Sequence, residues 1–98
     1  MNAQQLFDSI GYGKRYSVKV DSRNSREFRA LVTEANLNGD CIINVGGGYY
    51  RPDKDNPIER AEAEHYFASE MHRANEIRKK CLRMQQSFQN DIAQLSFL

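Results

Sequence analysis

Residues 41–52 read Cys41-Ile42-Ile43-Asn44-Val45, then Gly46-Gly47-Gly48, then Tyr49-Tyr50-Arg51-Pro52. Two short strand-forming runs flank three glycines, which is the pattern of a β-hairpin. Glycine supplies the positive φ angles that a tight turn requires. Pro52 ends the second run because it has no N–H to give to a ladder. Neighbours on a strand point to opposite faces, so Tyr49 and Tyr50 cannot share one. One of the two is expected in the core and the other outside, available to a partner. A phosphate-binding reading of the glycines fails, since no Gly-Lys-Ser/Thr follows and no helix starts there.

Upstream of the hairpin, Asn38-Gly39 closes a helix expected from about Ser25 to Leu37. Phe28, Leu31, Val32 and Ala35 follow helical spacing and should face the core. Three helix starts share one signature, an Asn cap with Glu or Gln three residues on: Asn2 with Gln5, Asn24 with Glu27, Asn56 with Glu59. Such a box satisfies two orphan N–H groups reciprocally. A short first helix, about Ala3 to Ile10, stops at Gly11 and Gly13. Tyr16-Ser17-Val18-Lys19-Val20 alternates apolar and polar residues and is expected to form a half-buried strand. Downstream, Asp53 to Asn56 is a polar linker, and Pro57 sits at the first helical position, where its missing donor costs nothing.

The last helix is expected to run from Pro57 to about Gln94, on the order of 55 Å. Phe67, Met71, Ala74, Ile77, Cys81, Met84, Phe88, Ile92 and Leu95 recur along it at steps of three and four. So long an apolar stripe outruns a head of under sixty residues, and part of it needs another surface: a folded-back segment, a second copy, or a partner. The expected oligomer interface is Phe67, Met71, Ile77, Cys81, Met84 and Phe88. The expected fold class is α+β: a winged-helix-like head (helix, strand, helix, β-hairpin; 1–55) followed by a long amphipathic helix and tail (56–98), together one structural domain.

Composition narrows the function. At 98 residues, 40% hydrophobic and 28% charged, the chain is an ordinary folded protein rather than a disordered one. No apolar run approaches the ~20 residues of a membrane span, and the N-terminus lacks a signal pattern. Cys41 and Cys81 lie far apart without metal-type spacing, as expected of reduced thiols in the cytoplasm of a bacterial host cell. The net charge of +1 is patchy: six bases against two acids from Lys14 to Arg29, and six acids against two bases from Asp53 to Glu70. Bases return at Arg73, Arg78, Lys79, Lys80 and Arg83, where a solubilising helix face is the first expectation. Patches of this kind steer partners. Glu62-x-x-His65 matches half of a di-iron helix pair, but such a site takes several helices, so no metal or cofactor is expected. No nucleophile motif is present, and no enzymatic activity is expected.

Several segments resemble small winged helix-turn-helix proteins of Gram-positive prophages. They are Asn2-Ala3-Gln4-Gln5-Leu6-Phe7-Asp8 with Gly11-Tyr12-Gly13-Lys14, Asn38-Gly39 leading into Ile42-Ile43-Asn44, and Gly47-Gly48-Tyr49-Tyr50-Arg51-Pro52. Tyr66, Met71, His72-Arg73-Ala74 and Ile77 continue the pattern. The chain departs from it at one point: only Val20 to Arg23 separates the expected strand from Asn24, so the first helix of the motif has no room. The resemblance implies a phage-encoded DNA-binding or regulatory protein. Residues 25–37 would then be its recognition helix, with Arg26, Arg29, Thr33 and Asn36 as a polar stripe of types that suit major-groove reading. Arg23 would extend that surface. The hairpin would be the wing, with Arg51 and nearby Lys14 and Arg15 on phosphates and the outward tyrosine, Tyr49 or Tyr50, on the partner. Expected partners are double-stranded DNA and a second copy of the chain. The alternative is a phage-encoded protein–protein inhibitor of a host defence nuclease, of anti-CRISPR type, and a blander third option is an assembly adaptor built on the long helix.

Overall fold

The computed structural model describes residues 1–96, with side chains to Ala93. The order is α1 (Ala3–Asp8), a 3-10 turn (Lys14–Tyr16), α2 (Ser25–Leu37), β1 (Ile43–Asn44), β2 (Tyr49–Tyr50) and α3 (Pro57–Ser96). This is the expected α+β layout of short helices, a hairpin and a long last helix. The chain forms two compact units, Met1–Tyr66 and the segment from Phe67 on. The first turns of α3 thus belong to the head.

Two of the three helix starts keep their Asn caps. Asn2 and Gln5 form the complete reciprocal box, with bonds of 2.8 and 2.9 Å. Replacing Asn2 with alanine should cost about 1 kcal/mol, read as a lower midpoint in urea unfolding. At α3, Asn56 Oδ1 accepts from the N–H groups of Ile58 and Glu59. Glu59, almost fully buried, turns its carboxylate to the Asp53 N–H at 2.9 Å and to the Asn56 amide, so the linker is tied into the helix start.

The expected box at Asn24 does not form. Asn24 has helical backbone angles and makes no cap bond. Asp21, three residues earlier, accepts from the Asn24 N–H and side-chain amide at 3.2 and 2.9 Å, while the same amide reaches the Met1 carbonyl. A carboxylate competes better than an amide for the N–H groups at a helix start. The start of α2 is therefore set by Asp21, and it pins the chain's first residue.

The expected strand over residues 16–20 is also corrected. Its N-terminal end is drawn into the 3-10 turn, and Val18 alone pairs, by an antiparallel bridge to Tyr49 with both bonds at 2.9 Å. The close approach of this segment explains one glycine: a Cβ on Gly48 would lie 2.7 Å from the Ser17 Cβ. Gly46 and Gly47, with φ of 62° and 100°, make the turn itself. The hairpin pairs Ile43 with Tyr50 and Asn44 with Tyr49.

Alternation along β1 and β2 sends side chains to both faces, and helices cover both. On one side Tyr49 meets Phe28 edge-on, with ring centroids 4.8 Å apart, in a core of Ala3, Ile10, Val18, Phe28, Val32 and Ile42. On the other, Ile43 and Tyr50 pack on Ala63 and Tyr66 of α3. Tyr50 is fully buried, and Tyr49, the less buried of the two, is half-buried against the first core.

Candidate nucleic-acid interface

The core face of α2, Phe28 and Val32, turns the opposite side of the helix outward. Arg23, Arg26, Arg29 and Thr33 are all exposed there or just before it. Arg29 holds its own helix through Nε to the Ser25 carbonyl at 3.3 Å, a bond that does not use its terminal nitrogens. Between the start of α2 and the hairpin turn lies an open groove of about 350 Å³, lined by Val20, Ser25, Arg29, Asn44, Gly47 and Tyr49. Val20 reaches it because the Val18–Tyr49 bridge lays this segment beside β2. Ser25, Asn44 and Gly47 were not legible as members of this surface. Only Asn44 left a signal, as the polar alternate beside Ile43.

Two expected contact residues are used inside the head. Arg51 is the clearest correction. Its guanidinium clasps Asp40 with Nε at 2.9 and 3.1 Å and Nη2 at 2.7 Å, and Nη1 donates to the Ile10 carbonyl at 2.6 Å. Its backbone exchanges bonds with Gly11 and Gly13. With this fork-on-fork geometry taking three of its five N–H donors and the side chain 17% exposed, Arg51 locks the α1 exit to the hairpin and leaves little for a phosphate. Asp40 is held below the ordinary carboxylate range, first by the hydrogen bond from Arg51. The same bond raises Arg51.

Asn36 is the second correction. Its amide accepts from the Ile42 N–H at 2.9 Å and donates to the Ile42 carbonyl at 3.1 Å. Both functions a base edge would need are thereby spent on the backbone entering β1. Tyr49 is shared: its ring meets Phe28 edge-on, and it also lines the open groove.

Lys14 and Arg15 lie on the 3-10 turn. Lys14 is half-exposed and pairs with Glu62 of α3 at 3.1 Å. Glu62 also accepts from the buried Tyr50 hydroxyl at 2.9 Å. Burial first, then that bond, pushes the Tyr50 hydroxyl up. Glu62 is therefore a tie between three segments. Arg15 stands over the Tyr16 ring at 4.7 Å with its charge outward. Among the described residues no group of His, Cys, Asp and Glu is placed to hold a metal ion. The thiol of Cys41 is raised by burial and by Asp40, against nucleophile chemistry.

From Phe67 to Ala93 every side chain of α3 except Glu70 is exposed. Met71, Met84 and Phe88 are 65, 62 and 64% exposed, and Leu82, outside the expected stripe, is 54% exposed. Ile77 and Cys81 are exposed as well. Leu95 lies outside the described side chains. No helix among the described residues is long and apolar enough to cross a membrane. No family model, curated protein or solved structure matches this chain.

Proposed function

We propose that this chain is a small, non-enzymatic DNA-binding regulatory protein of a phage or mobile element, acting as a homodimer. The observation that carries the reading is the exposed basic side of α2. Arg23, Arg26 and Arg29 with Thr33 stand clear of the core, and Arg29 opens onto the groove beside the hairpin turn. Arginines on an exposed helix can reach base edges and phosphates together. The apolar side of α3 supplies the self-pairing, and the resemblance of the hairpin and N-terminal segments supports the phage setting.

Fluorescence anisotropy with labelled duplex DNA tests it. Affinity should fall steeply as salt rises from ~50 to ~200 mM. Arg26→Ala with Arg29→Ala should weaken binding at least tenfold while leaving the thermal midpoint within a few degrees, since both side chains point outward. Undetectable binding at low salt, or unchanged binding in the double variant, rejects the reading.

A second reading, a protein–protein inhibitor of a host defence nuclease on the same scaffold, is favoured by a specific observation. Asn36 and Arg51 are engaged inside the head, which thins the base-reading set. A stoichiometric complex with a purified nuclease, in the absence of duplex affinity, would select it.

A further inference from the structure

In α3 beyond the head, Phe67, Ala74, Cys81 and Phe88 stand seven residues apart, and Met71 and Ile92 fall four residues after Phe67 and Phe88. A seven-residue column on a 3.6-residue helix drifts slowly and stays in contact only with another helix that supercoils around it. The chain has no spare helix for this among the described residues, since α1 and α2 spend their apolar sides in the head core. The large apolar side chains between Phe67 and Ile92 are 47–65% exposed. Together they offer on the order of 600 Å² per copy, close to the ~800 Å² a standard interface takes from each partner. A second copy brings an identical column.

The polar members of the seam set the direction. In the layers between Met71 and Ile92 stand Arg78 and Gln85. A parallel, in-register pair would stack Arg78 on Arg78 and Gln85 on Gln85. It would also face Ala74 with Ala74, leaving a void beside the like charges. An antiparallel pair centred between Lys79 and Lys80 matches each layer by size instead. Phe67 meets Ile92 of the second copy, Met71 meets Phe88, small Ala74 takes long Gln85, and small Cys81 lets Arg78 pass and carry its charge to water. Ile77 and Met84 then adjoin across one edge. Two unfavourable contacts remain: the Arg78 residues of the two copies stand in adjacent layers, about 4.5 Å apart along the axis rather than stacked in one layer, and Glu70 near Asp91 lies at the exposed rim and is screened; Glu70 is already paired with Arg73 at 3.1 Å.

We propose that two copies of this chain pair antiparallel through residues 67–92 of α3 in this register, which rests on the homodimer reading given above. The paired segment begins at the first residue past the head unit and ends within the described helix.

The test uses the full chain with Cys41→Ser and Cys81→Ser. Sedimentation equilibrium should show a dimer at ~100 µM. Under mild oxidation, a mixture of the Met71→Cys and Phe88→Cys variants should give the mixed disulfide at least ten times more readily than either variant gives its own. Efficient self-cross-linking through Met71→Cys establishes a parallel pair: it overturns the antiparallel register and leaves the dimer standing. A monomer at ~100 µM in both the unsubstituted and serine-substituted proteins overturns both. Arg78→Leu is an independent check: it should tighten the dimer severalfold and blur the preference for the mixed disulfide, because it removes the charge that sets the direction.

Discussion

Replacing Arg51 with alanine should lower the stability of the head by about 2–3 kcal/mol, or roughly 10–20 °C in thermal midpoint for a chain of this size. The substitution leaves the Asp40 carboxylate without its clasp and the Ile10 carbonyl without its donor, both partly buried. An uncompensated charge costs more than the intact pair contributes, which places this loss well above that of a surface ion pair. The pair also fixes a pH dependence. The folded Asp40 pKa lies below its unfolded value, so the folded state binds the proton less readily. The contribution is fully present above about pH 4 and is lost as the pH falls through the lowered folded value. Arg51→Ala should flatten that acid limb. If instead Arg51→Ala leaves the midpoint unmoved and weakens DNA binding alone, the residue is a phosphate contact after all.

Truncating Tyr50 to alanine should be at least as severe, about 3–5 kcal/mol by the measure of large buried side chains. Against the 5–15 kcal/mol typical of a whole domain, much of the head's stability would go. Tyr50 is fully buried between the hairpin and the first turns of α3, and its hydroxyl meets Glu62. Tyr50→Phe keeps the ring and loses only that hydrogen bond, about 1 kcal/mol. Chemical denaturation of the two variants side by side separates packing from hydrogen bonding. Equal losses would place the stabilisation in the hydroxyl rather than the ring.

The fold was legible where a local signal and the hydrophobic period agreed. The Asn2 box, Pro57 at the start of α3, the Phe28–Val32 face and the glycine turn all lie where the pattern puts them. What escaped was set by contacts distant in the chain. Alternation shows that Tyr49 and Tyr50 face opposite ways; it does not show that a helix waits on each side. Arg51 reads as a surface base until Asp40, eleven residues away, closes on it. Asn24 lost its cap to Asp21 because a charged acceptor stood within the same turn. The candidate interface was legible in its arginines, which are exposed because nothing in the head needs them. It was not legible in Asn36, whose amide is a base reader by type and a backbone partner by position.

That amide has a consequence for how the protein behaves in a crowded cell. A short hairpin ordinarily presents unpaired backbone groups along its outer strand, which template association with other chains. Here the Asn36 side chain occupies both backbone groups of Ile42, as a one-residue surrogate for a neighbouring strand. On the far side, Val18 takes up the backbone groups of Tyr49, and Gly11 and Gly13 those of Arg51. The far margin of the sheet is paired and the near one is capped at Ile42, which narrows the backbone open to strand-to-strand recruitment.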